Sequence, residues 1–226
     1  MRSRSFILFV FLYSSLYYNC LSDKTCSDDD KSCSTQALLT SAFTVPNGIY
    51  IYSTLITYQG NLAAYGSTPE ISGQNICRGE KLFSSLVNQF CTDVWAFVST
   101  ESVPLSSFAS SFSAPIDLPV LGPTGLQLAS TWDNFVLGSV NLDRSLSEAG
   151  LGTDDFWSFT GIPGGGLAAN NCNIGADNTN AVSGATGSST SKNTDWLNPS
   201  AVTATCDTRH RVLCVCFTPA ASSQAL

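Results

Sequence analysis

The sequence predicts an α+β domain tied by disulfides. Three observations carry that reading: four short segments rich in β-branched and aromatic residues, one stretch of near-helical apolar spacing, and nine cysteines in a 226-residue chain with only 12% charged side chains. Hydrophobic residues make up 43% of the chain, unlike the sparse, charge-rich composition of a disordered protein. The net charge of −7 argues against a nucleic-acid partner, which calls for a basic face toward phosphates. The single histidine, His210, cannot build a multi-histidine metal site.

The chain opens with Arg2 and Arg4 and no acid, followed by an apolar run over residues 6–18. A short positive segment before a 7–15-residue apolar core is a secretory signal, and the run is too short to span a bilayer. The small-x-small cleavage pattern is poor, but Cys20 follows the apolar core directly. That placement predicts a lipoprotein signal over residues 1–19, with Cys20 as the acylated first residue of the mature protein. The alternative is a plain signal peptide with Cys20 spare or removed. Losing Arg2 and Arg4 from ten basic residues leaves eight against seventeen acids, a net −9. Setting Cys20 aside leaves eight cysteines, an even number that permits full pairing.

Residues 20–37 read as a lipidated cysteine and acidic tether, with Asp28, Asp29 and Asp30 in a solvated run and Cys26 most simply paired with Cys33. The globular domain is expected over residues 38–218, with a tail at 219–226. Strands are expected at 48–57, 94–99, 156–161 and 211–217. In the last of these Cys214 and Cys216 sit two apart, so on a strand both face the same side. Residues 67–88 predict a helix from Ile71, Ile76, Leu82, Phe83, Leu86 and Val87, with Gly73 and Gly79 allowing a split into two. Residues 160–198, dense in Gly, Asn, Ser and Thr, read as a long surface loop region.

An ordered series of landmarks resembles one family. Thr57-Tyr58-Gln59-Gly60-Asn61-Leu62 and Cys77 match its opening. Residues 119–125, then Ala129, Ser130, Thr131, Trp132, Gly138 and residues 146–150, match its middle. Trp157 to Gly161, Asn171, Cys172, Asp195, Trp196, Cys206 and residues 211–214 match its end. In these residues, covering about three quarters of the chain, the sequence resembles the leptospiral endostatin-like outer-surface lipoproteins; Asn19 before Cys20 also resembles the looser signal boxes of spirochaete lipoproteins. The resemblance implies an endostatin-like, C-type-lectin-like domain: a short twisted antiparallel sheet, one or two helices and a long loop region. It further implies the pairs Cys77–Cys214 and Cys172–Cys206, which leave Cys91 for Cys216; a swap of partners between Cys77 and Cys91 stays open. Closing such loops stabilises by roughly 3.5–5 kcal/mol each in the chain-entropy model. Where relatives carry a loop tryptophan, this chain has Asn173-Ile174-Gly175 after Cys172.

The same resemblance implies a surface protein, lipid-anchored in the outer membrane, that binds host extracellular-matrix and plasma proteins such as laminin, fibronectin, plasminogen or complement regulators. The alternatives for location are a secreted or a periplasm-facing protein. Candidate ligand-binding residues are Trp196, Lys192, Asp177 and Asn173 in the loop region, although a core place is favoured for Trp196 as for the other tryptophans, with Arg209 and Arg211 as the densest positive cluster of an acidic chain. No cofactor is expected. Asp154, Asp155, Asn173, Asp177 and Asn178 offer oxygen ligands for calcium, but no regular spacing supports such a site. The chain lacks a Gly-x-Ser-x-Gly elbow and a phosphate loop, so no enzyme is expected. Two competing readings are a structural envelope lipoprotein without a host ligand, and an enzyme using Cys214 and Cys216 as thiols or metal ligands.

Overall fold

A computed structural model describes residues 47–81, 91, 93–161 and 164–217. The chain divides between Thr44 and Val45, and all described residues belong to the second unit. Cys20, Cys26, Cys33 and the expected helical residues Leu82, Phe83, Leu86 and Val87 lie outside the described residues.

The main sheet is built from β1 (Ile49–Ser53), β2 (Asp93–Ala96), β3 (Val120–Leu121), β4 (Gln127–Ala129) and, last in the chain, β8 (Leu213–Phe217), in the order β2-β8-β1-β3-β4. Strand β8 runs antiparallel to both neighbours, with Tyr52 opposite Cys214 on one side and Ala96 opposite Cys214 on the other. The expectation of an antiparallel sheet fails at one pairing: β1 and β3 are parallel, with Ile49 opposite Val120. A parallel pair needs a long crossover, and residues 54–119 supply it.

Period-two alternation explains the layers. Ile49 and Ile51 of β1 and Leu213, Val215 and Phe217 of β8 enter one apolar cluster. Tyr50, Tyr52, Cys214 and Cys216 enter a second, on the opposite face. Because both faces are covered, β8 is buried along its whole length, which is why it reads as a continuous apolar run.

The first cluster is aromatic. Phe97 stacks on Trp196 with centroids 6.0 Å apart, and Phe135 lies 4.8 Å from the same ring. Two five-residue helices serve it, α2 (Phe108–Phe112) and α3 (Trp132–Val136). Thr131 caps α3 by accepting from the Asn134 amide at 3.3 Å. Of the four tryptophans, Trp132, Trp157 and Trp196 are buried, while the half-buried Trp95 stacks on Phe112 at 3.9 Å.

The second cluster is covered by α1 (Pro69–Lys81), which starts on Pro69 with Glu70 in its first turn. Its inner face is Ser72, Gly73, Ile76, Cys77 and Glu80, at spacings of three and four. A Cβ on Gly73 would stand 2.6 Å from the Ala96 Cβ, so glycine lets the helix lie close against β2. Ile71, expected on the apolar face, is 42% exposed.

A second, three-stranded sheet has the order β5-β6-β7, from β5 (Phe156–Trp157), β6 (Ser183–Gly187) and β7 (Thr203–Thr205). Its central strand, Ser-Gly-Ala-Thr-Gly, lies inside the segment expected to be surface loop, and four of its five residues are buried. The reason is steric. A Cβ on Gly187 would stand 2.1 Å from the Phe156 ring, and one on Gly184 would meet Phe159, Cys172 and Trp157 within 3.0 Å. Glycine here makes room for aromatic rings laid against the strand backbone.

Three cysteine pairs tie these layers: Cys77–Cys214 joins α1 to β8, Cys91–Cys216 reaches the same strand, and Cys172–Cys206 spans the loop region. These are the partners that the family resemblance implies, without the swap between Cys77 and Cys91. As period two requires, Cys214 and Cys216 share one face.

Candidate functional site

The loop region is anchored at a turn of unusual hand. Cys172, Asn173, Ile174 and Gly175 have φ of 54°, 52°, 61° and 73°, four successive residues in the left-handed region. L-residues visit this region singly, at about 1–2 kcal/mol each, and a β-branched Ile there is an outlier. Local bonds over-determine the turn. The Asn171 side-chain oxygen accepts from the Ile174 amide at 2.8 Å, and the Cys172 carbonyl accepts from the Ala176 and Asp177 amides, each at 2.9 Å. The bridge from Cys172 to Cys206 fixes its base. The turn holds Asn173 at the surface and Ile174 at 39% exposure.

Asp177 continues the same feature. Its Oδ1 accepts from the Thr179 amide and hydroxyl, both at 2.7 Å, and its Oδ2 accepts from Asn173 at 3.1 Å. These bonds, those of Thr179 above all, hold its carboxyl below the usual range. Asn173 and Asp177 are thus hydrogen-bonded neighbours on one loop.

The other expected residues stand elsewhere. Trp196, the contact candidate for which a core place was favoured, is only 1% exposed, and its indole N–H donates to the Phe135 carbonyl at 3.2 Å. A core ring with its polar end satisfied cannot meet a partner, so the contact role is corrected to a packing role. Lys192 is exposed, and its carbonyl accepts from the Leu142 amide at 2.8 Å, on a different stretch from Asn173. The exposed Arg209 donates to the Thr57 carbonyl at 3.1 Å. Arg211 pairs with Asp154 at 2.9 Å and donates from Nη1 to the Thr54 and Leu55 carbonyls.

Between these arginines, His210 packs edge-on against Trp157 with centroids 4.6 Å apart. Burial lowers its pKa, partly offset by Asp155; burial likewise raises Asp155. Among the described residues no three His, Cys, Asp or Glu side chains group as metal ligands. The oxygen donors weighed for calcium are divided: Asp154 belongs to Arg211, and Asp177 to Thr179.

No protein-family model and no curated protein matches the chain. The site therefore rests on its own geometry.

A further feature carries residues to which the sequence reading gave no role. A cleft of about 480 Å³ lies at the end of β1, walled by Tyr52, Leu55, Glu80, Thr124, Leu151 and Arg211 among others. The available signal was Glu80, a carboxylate four residues after Ile76 and therefore on the buried side of the predicted helix.

Proposed function

We propose that the protein is a surface-exposed, lipid-anchored bacterial adhesin that binds host extracellular-matrix or plasma proteins through the loop presented by its left-handed turn. The observation that carries this reading is the turn itself: a strained, disulfide-based, over-bonded loop that holds Asn173 and Ile174 toward solvent. Strain of this kind persists where the surroundings enforce it, and it clusters at active sites, ligand clamps and switch regions. Rigid loops lose less entropy on binding, which favours affinity from a small contact.

The finer fold reading, a C-type-lectin-like domain of the leptospiral endostatin-like kind, belongs to the same proposal. Its support is the pairing of the first helix with the last strand through Cys77–Cys214, the inner bridge Cys172–Cys206 across the loop region, and the landmark series in the sequence. Lipid attachment at Cys20 is supported by the apolar run and by the even cysteine count that remains.

Solid-phase binding of the fully oxidised protein to laminin, fibronectin, plasminogen and factor H tests the function. At least one should be bound saturably, and Ile174→Asp should weaken that binding about tenfold while leaving the thermal midpoint nearly unchanged. Failure of the oxidised protein against the whole panel contradicts the reading.

A further inference from the structure

The cleft at the end of β1 contains a buried carboxylate that the fold leaves half satisfied. Glu80 is 7% exposed and stands on the inner face of α1, directed there by its four-residue spacing from Ile76. Its Oε2 accepts from the Leu55 amide at 2.9 Å and its Oε1 from the Tyr58 hydroxyl at 3.4 Å. Both donors are neutral, and a carboxylate offers about four acceptor positions. Among the described residues no cation lies within ion-pair distance of it, since the pair found there is Arg211 with Asp154.

Arg211 lines the same cleft but does not neutralise Glu80. Its Nε and Nη2 are both held by Asp154 Oδ2 at 2.9 Å, and its Nη1 is held by the Thr54 and Leu55 carbonyls. The arginine thus fixes the backbone that carries the Leu55 amide over Glu80. The cleft lining thus sets Glu80 beside an arginine whose charge Asp154 already offsets, and the Tyr58 hydroxyl that bonds to Glu80 is pushed up to about 12, first by burial and then by Glu80. Apolar side chains belong to the same lining, Leu55 at 58% exposure and Leu151 at 8%. At about 480 Å³ the space falls within the usual range of ligand pockets.

We propose that this cleft receives a lysine side chain of a partner protein, its ammonium pairing with Glu80 and its alkyl stem lying along Leu55 and Leu151. A compact ammonium with three donors suits one carboxylate with free lone pairs, and the stem of lysine covers apolar surface while its head finds charge. The site stands on the cleft alone and holds whether or not the loop at Ile174 binds host proteins.

Titration of the full oxidised protein with Nα-acetyl-lysine N-methylamide, read from backbone amide shifts, tests it against the norleucine analogue. The lysine probe should shift the Leu55, Leu151 and Gly152 amides, and the norleucine probe should not. Glu80→Gln keeps an acceptor for the Leu55 amide but removes the charge, so the probe should bind about tenfold more weakly. Thr124→Lys, at an exposed position of the lining that Glu80 shares, adds an ammonium to the cleft and should also weaken the probe severalfold; it gives a second readout should Glu80→Gln fail to fold. Equal shifts from both probes, no shifts, shifts outside the cleft, or unaltered affinity in Thr124→Lys overturns the proposal.

Discussion

Gly184 looks in the sequence like one more flexible position in a Gly- and Ser-rich stretch, and in the structure it is among the most constrained. Its missing Cβ leaves room for Phe159, the Cys172 sulfur and Trp157. The physical cause is that aromatic rings pack flat against bare backbone, a use of glycine that composition cannot distinguish from flexibility. Gly184→Ala should therefore destabilise the protein by roughly 1–3 kcal/mol, the cost of overpacking a filled core, while Gly166→Ala, whose Cβ meets nothing within 4 Å, should change it little. Urea denaturation of both variants beside the wild type checks this, and equal midpoints for all three would remove the packing argument. Trp196 teaches the converse lesson. Its place beside a polar loop region invited a surface role, but its ring closes the aromatic cluster of Phe97 and Phe135.

At the scale of elements, what was legible was what is long and buried on both faces. Strand β1 carries consecutive β-branched and aromatic residues, β8 is apolar throughout, and the two-residue spacing of Cys214 and Cys216 puts both on one face. Helix α1 was legible in position but not in face, because Ser72 and Glu80 occupy buried positions that an apolar pattern skips. Strands of two or three residues such as β3, β4 and β7, and helices of five, offer too few positions for any period to register. The left-handed turn was not legible either, since Cys-Asn-Ile-Gly carries one glycine where four residues need positive φ. The bridge to Cys206 joins the first residue of that turn to a distant part of the chain, a constraint that the local sequence does not show. Replacing Cys172 and Cys206 by serine together should cost up to about 4 kcal/mol in the chain-entropy model and free the Ile174, Ala176 and Asp177 amides to exchange rapidly with solvent. Hydrogen exchange of the double variant against the wild type measures it. Unchanged protection at those amides would show that the local hydrogen bonds alone hold the turn.

For the whole molecule, the low charge content and the bridges belong together. Among the described residues one ion pair stands beside three disulfides, and two of the bridges converge on β8, the strand both neighbours pair with. A domain tied this way suits an oxidising surface location, where bridges persist and exposed loops must keep their shape. The central claim, that this is a surface adhesin and not an inward-facing envelope lipoprotein, turns on where the domain stands. Protease treatment of intact bacterial cells that express the full chain, read beside a periplasmic marker, tests that claim. The protein should be lost while the marker survives; a protein that resists until the cells are opened contradicts a surface location.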